Sequence, residues 1–262
     1  MAVPIPFLPH RFQAAAAHYI AGRPPYPQRL IDRVATLTGL AKSGRVLDLG
    51  CGPGPLARAF ASLAAEVVAV DPEPEMLRAA RQAAGTLPIR FVQGSSYDLG
   101  PAFGRFHLAV MGRSFHWMDR AETLRRLDRM IDPGGAVVLF GDEHADLPDN
   151  AWRPAWRGAL APFRDPERAH QRAGWVRHEA FLLDSAFAQL DQVSAIDRRR
   201  TPIATMVERA LSMSSTNRTG RGEQAEALQA AVVSALAPFT VDGVITEVIE
   251  SYALIGTRPE AT

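Results

Sequence analysis

Two histidines stand where a proton could be moved. His116 follows the largely apolar run Phe106–Met111, and His144 follows the apolar run Ala136–Phe140. A histidine just past a buried strand lies on the rim where open α/β sheets bind ligands. Its pKa near neutrality suits a general base. His116 can instead pack beside Trp117 and orient its loop. His144 can act as base or as a substrate contact. Of the other histidines, His107 sits inside an apolar run, His10 and His18 precede the core, and His170 and His178 read as surface residues.

Carboxylates and glycines form a second group. Val46-Leu47-Asp48-Leu49 leads into Gly50-Cys51-Gly52-Pro53-Gly54, and Val67-Val68-Ala69-Val70 leads into Asp71. Glycine reaches φ > 0 and has no Cβ, so such a turn lets a ligand lie against the backbone. An acidic residue ending the second strand can accept both hydroxyls of a ribose. Asp48, just before the turn, suits a cationic ligand better than a pyrophosphate. A dinucleotide fingerprint requires its third glycine at position 55, which is Pro55, and no Gly-Lys-Ser/Thr follows to make a phosphate loop. Cys51 is the one cysteine, so neither a disulfide nor a cysteine-based zinc site can form within one chain. No metal-ligand spacing stands out, and no metal is expected. Arg198-Arg199-Arg200 is either a solvated strand end or loop, or a contact for a carboxylate or phosphate.

The elements that must position these groups follow from the pattern. Val46–Leu49 reads as a buried strand, and Leu56–Ala61 as a helix entered through Pro55, a residue suited to a first helical turn. Further strands are expected over 67–71, 89–94, 106–111, 136–140, 187–196 and 246–255. Helices are expected over 12–21, 28–40, 75–84, 121–130, 202–213 and 223–236. Residues 145–180 hold three of the four tryptophans, among them Trp152 and Trp156, and break the alternation of strand and helix.

Val46–Gly54 resembles motif I of the class I S-adenosylmethionine-dependent methyltransferases, and Val70–Leu77 resembles the ribose-binding segment that follows it. Tyr19-x-x-x-Arg23-Pro24-Pro25-Tyr26-Pro27 and the His116-Trp117 pair are similar to the subgroup that includes trans-aconitate methyltransferases. The resemblance implies an α/β fold: a Rossmann-like, doubly wound, seven-stranded sheet with one antiparallel strand at the end. It also implies a helical cap inserted after the fifth strand. It names S-adenosyl-L-methionine as cofactor, held by Tyr19, Arg23, Asp48, Gly50, Cys51, Gly52, Gly54, Asp71, Pro72, Met76, Ser95, Ser96, Met111 and Arg113. Arg23 would pair with the cofactor carboxylate. Ser95 stands where the family usually places an acidic residue for the adenine amino group, and Arg113 where relatives often carry glutamine.

The domain expectation is a helical lid over 1–40, a cofactor-binding core over 41–144, a cap over 145–180 and completion of the sheet over 181–262. Trp117, Trp152 and Trp156 are expected to line the acceptor pocket. The chain has 262 residues and a net charge of +1, which argues against a large nucleic-acid-binding field. No run approaches the roughly 18 apolar residues that span a membrane, and Met1–Pro9 makes a poor signal peptide, so a cytoplasmic location fits. The expected function is methylation of a small molecule, by default at an oxygen, by a monomer or homodimer. A cofactor-binding enzyme with another reaction, such as a cyclisation, and a non-catalytic binding module are the alternatives. RNA methylation would require a basic face.

Overall fold

The computed structural model describes residues 16–164, 175–213 and 223–260. His10 and His170 lie outside them, as do parts of the expected lid and cap. Seven strands make one sheet: β1 (Arg45–Leu49), β2 (Glu66–Asp71), β3 (Ile89–Gln93), β4 (Phe106–Gly112), β5 (Ile131–His144), β6 (Gln189–Pro202) and β7 (Val244–Thr257). Their order is β3-β2-β1-β4-β5-β7-β6, and β7 runs antiparallel to both neighbours. β1, β2 and β4 read as near-continuous apolar runs because both faces of a parallel sheet are covered.

Helices supply the covering. On one face, α2 (Gln28–Leu37) and α3 (Pro55–Phe60) bury Leu30, Ile31, Val34, Leu56 and Phe60 against Val46, Ala69 and Val110. On the other, α5 (Arg120–Met130) places Leu124, Leu127 and Met130 on Leu47, Val68 and Ala109. Strand order reverses between β1 and β4, which opens a crevice at the carboxyl ends of the parallel strands. α4 (Pro74–Ala84) starts at a proline and stops at Gly85, whose φ of 55° a β-carbon would disfavour. α2 ends earlier than the expected 40, where the Thr38 hydroxyl donates back to the Val34 carbonyl.

The expected cap is built differently. α6 (Arg153–Leu160) turns its apolar face to α8 (Ile203–Ser212) and α9 (Glu223–Leu236). Trp152, Trp156, Met206, Ala210, Leu228, Val232 and Ile245 form a separate core there. Of the described residues in 145–180, only Trp175, Arg177, His178 and Glu179, at the approach and first turn of α7 (His178–Leu183), reach the crevice. Arg198, Arg199 and Arg200 lie inside β6 rather than in a loop, with Arg198 paired to Asp149 and Arg199 donating to the Pro25 carbonyl. α1 (Ala16–Gly22) lies along α8, so closely that a Cβ on Gly22 would fall 2.3 Å from the Arg209 amide nitrogen.

Candidate functional site

A cavity of about 700 Å³ occupies the crevice, in the size range of small-molecule sites. Its floor is the turn after β1. Gly50 and Cys51 donate their amides to the Val70 carbonyl, and the Gly52 amide donates to Asp71 Oδ2 at 2.8 Å. Each glycine of the turn has positive φ but a different task. A Cβ on Gly50 would meet Ser114 at 2.6 Å, and one on Gly54 would touch Ala80 at 3.4 Å. A Cβ on Gly52 meets no protein atom within 4 Å and would project into open space. Gly54 is therefore a helix-packing glycine and not, as expected from sequence, part of the cavity wall. Cys51 is buried, and burial pushes its thiol well above its ordinary pKa.

Two carboxylates flank the turn. Asp48 Oδ2 accepts the Ala57 amide at 2.8 Å, while Oδ1 is buried with no hydrogen-bond partner. Burial raises Asp48 to about 7. Asp71 accepts amides from Gly52 and Glu73, yet burial still raises it to about 6. Buried polar atoms are ordinarily satisfied, so an orphaned carboxyl oxygen on a residue of the cavity wall marks a place for a ligand. Asp71, also in the cavity wall, keeps spare lone pairs beyond those two amides. The fit extends to Pro72, Met76, Ser95, Ser96 and Met111, all in the wall.

Ser95 departs from the expectation in an instructive way. Its hydroxyl donates to Asp98 Oδ2 at 2.8 Å, and its amide donates to the same oxygen at 2.7 Å. Those two bonds hold the Asp98 carboxyl below its usual range. A carboxylate thus stands behind the serine, three residues later than the family position. The serine–aspartate spacing of a capping box was the available signal.

The amino-terminal side carries two arginines. Arg113, at φ 56°, forms an ion pair with Asp142, donates to the Pro24 carbonyl at 3.1 Å and lies 4.5 Å over the Tyr26 ring. Burial pushes Asp142 up, but Arg113 outweighs it and keeps the carboxylate below its ordinary value. Arg23 lies over Tyr19 and donates to the Ser212 hydroxyl at 3.1 Å. Tyr19, Arg23 and Arg113 all line the cavity.

Opposite them is a wall of rings. His116 lies 4.6 Å from Trp117 and 6.1 Å from Trp175, and Trp175 lies 5.3 Å from His178. Arg120 donates to His178 Nδ1 at 3.4 Å. Burial, then Arg120, lowers His178 to about 4, so the ring is neutral near pH 7 with its proton on Nε2. His178 and Trp175 were missed as site residues, since nothing local ties them to residues 116–120. Three expectations are corrected. β5 runs on past the crevice and carries His144 to Glu247, 2.9 Å away, and edge-on to Trp152. Trp152 and Trp156, 2 % and 8 % exposed, sit in the α6–α8–α9 core and not in the cavity wall. No group of three potential metal ligands occurs among the described residues, and no helix among them is long and apolar enough to cross a membrane.

A doubly wound sheet, a glycine turn opening on a cavity and an acidic residue ending β2 define a nucleotide-type cofactor-binding α/β protein. The profile of a methyltransferase domain matches residues 46–135. The malonyl-[acyl-carrier protein] O-methyltransferase of Enterobacter lignolyticus is 31% identical over 217 residues, covering 79% of this chain and 80% of that protein. An uncharacterized methyltransferase of Mycobacterium bovis is 34% identical over 129 residues, 49% of this chain and 50% of its own; the chain thus spans about half the length of that relative. Among solved structures, a putative type II methyltransferase from Anaeromyxobacter dehalogenans superposes with TM-score 0.63 at 23% identity, covering 90% and 97% of the two chains. A methyltransferase from Thiobacillus denitrificans, crystallised with S-adenosyl-L-homocysteine, gives TM-score 0.53 at 18% identity, covering 95% and 99%. The chain belongs to the class I S-adenosylmethionine-dependent methyltransferases. Its cofactor is S-adenosyl-L-methionine.

Proposed function

We propose that this protein methylates an oxygen of a small molecule. The observation that carries the reading is one cavity lined by two unlike groups: the carboxyl groups and backbone of Asp48, Gly52 and Asp71, and the rings of His116, Trp117, Trp175 and His178. When bound, the cofactor supplies an activated methyl group on a sulfonium. The chain's own work is to hold donor and acceptor in line, which can contribute on the order of 7–11 kcal/mol. Asp71 would take the ribose hydroxyls and Asp48 the positive end. Arg23 would pair with the cofactor carboxylate. The ring wall excludes water from the reacting centre. His178 is a neutral donor for an acceptor oxygen and not a base, because Arg120 occupies its acceptor nitrogen.

The acceptor oxygen is supported by the relative whose name is an O-methyltransferase. A carboxylate acceptor needs no base, whereas a hydroxyl would call on His116. Transfer of labelled methyl to a panel of small carboxylic acids, thioester-linked acids and alcohols tests the reading. Label in an oxygen ester or ether supports it. Label only on nitrogen or carbon, or cofactor binding without transfer to any acceptor, would overturn it. His116→Ala should lower turnover 10²–10⁴-fold with a hydroxyl acceptor and little with a carboxylate.

A further inference from the structure

The residues that reach Arg23 come from the far end of the chain. Glu247 on β7 is 1 % exposed and accepts a two-pronged ion pair from Arg209 on α8, at 2.7 and 2.9 Å. Thr201 and His144 bond the same carboxylate. Burial alone would push Glu247 up; these partners, Arg209 first, hold it well below the usual carboxylate range. Arg209 Nε donates to the Gly22 carbonyl at 3.0 Å. The Arg209 carbonyl accepts from the Ser212 hydroxyl at 2.8 Å, and that hydroxyl accepts from Arg23 Nε at 3.1 Å. Arg209 therefore grips Arg23 twice, through the main chain of the preceding residue and through Ser212.

We infer that Arg209, anchored on Glu247, and Ser212 are positioning residues for the amino-acid end of the cofactor. They act through Arg23, and the inference rests on the reading that Arg23 pairs with the cofactor carboxylate. Geometry favours this over simple packing. A buried ion pair alone is weak evidence of stabilisation, but here a third guanidinium bond, from Nε, goes to the carbonyl next to the ligand-facing arginine. Ser212 also lines the cavity while holding Arg23 by its Nε, which leaves the terminal nitrogens of Arg23 for a bidentate carboxylate. None of the three residues lies in the matched 46–135 region, so the carboxylate end of the site is built by segments outside the domain that carries the glycine turn.

Calorimetry with two probes separates positioning from packing. S-adenosyl-L-homocysteine carries the carboxylate, and 5′-methylthioadenosine lacks the amino-acid portion. Ser212→Ala should weaken the first about fivefold, and Arg209→Gln tenfold or more. Both should leave the second unchanged. Ser212→Ala added to Arg23→Ala should have no further effect, because the two share one route. Equal weakening of both probes would show a structural role only and overturn the inference, as would full affinity of Ser212→Ala for S-adenosyl-L-homocysteine. If Arg209→Gln fails to fold, Ser212→Ala and the double variant decide. Unaltered protein that binds neither probe overturns the cofactor reading, and this inference with it, before any variant is made.

Discussion

Asp48→Asn should make the ligand-free protein more stable in alkali and worse at its task. The carboxylate is 1 % exposed, with one oxygen on the Ala57 amide and the other orphaned. Its pKa rises from an ordinary 3.8 to about 7. The folded state thus holds this proton more tightly than the unfolded chain. The contribution to stability is complete below the unfolded value and is lost as pH rises through about 7. At about 1.4 kcal/mol per decade, ionisation costs roughly 4 kcal/mol in full, of which about 3 falls between pH 5 and pH 8. Asparagine keeps an oxygen for Ala57 and carries no proton to lose. Its amide nitrogen, if unpaired, costs about 1–3 kcal/mol at every pH. The stability of the variant relative to the parent should therefore swing by about 3 kcal/mol in its favour from pH 5 to pH 8. At roughly 2 °C per kcal/mol for a domain of this size, that is about 6 °C in the Tm difference. Differential scanning calorimetry of both proteins without ligand reads it, since titrations of groups not coupled to Asp48 cancel, and the same pair on an Asp71→Asn background removes the neighbouring carboxylate that is coupled to it. A Tm difference that does not change with pH would refute the argument. With ligand, the variant should bind S-adenosyl-L-methionine at least tenfold more weakly.

Asp71→Ala should weaken S-adenosyl-L-homocysteine at least tenfold by calorimetry. In the parent, affinity should fall as pH drops below about 6, where Asp71 takes up its proton; a flat profile from pH 8 to 5 would count against its role. Gly52→Val places a branched side chain into the cavity at φ 53°. It should abolish binding with far-UV dichroism intact, and retained affinity would put the cofactor elsewhere. Trp156→Ala should lower stability by about 3–5 kcal/mol through loss of buried volume. Cofactor affinity in the folded protein should not change, and a selective rise in acceptor KM would contradict its placement in the α6–α8–α9 core.

What could be read from sequence was what the ligand imposes locally. The turn after β1 needs its glycines within five positions, and Asp71 must end the next strand, so both are written in consecutive residues. The sheet was legible for a similar reason, since its inner strands are continuous apolar runs. The aromatic wall of the cavity was not. His178 owes its place to Arg120, 58 residues away, and reads locally as a polar helix start. Trp152 and Trp156 signalled a large apolar surface, but composition cannot say which surface covers it; α8 and α9, far along the chain, decide that. His144 was assigned by its distance from a strand end, and the carboxyl end of β5 lies four residues beyond its apolar stretch, at His144 itself. Arg198–Arg200 read as a solvated strand end or loop, or as an anion contact; they lie toward the end of edge strand β6, where charge is tolerated.

Cys51 gives the molecule a clock of its own. It is the sole thiol in the chain and sits in the backbone turn beneath the cofactor site. A thiol reagent added to the native protein therefore has one target, a buried sulfur in the cavity wall. The rate of modification reports access to this one place, through the cavity or by opening of the turn. A ligand that binds only the closed form slows the count by the factor 1 + [L]/Kd. Occupancy could then be followed in an unlabelled, unmutated protein, in crude mixtures of acceptors, by the time its single sulfur takes to react.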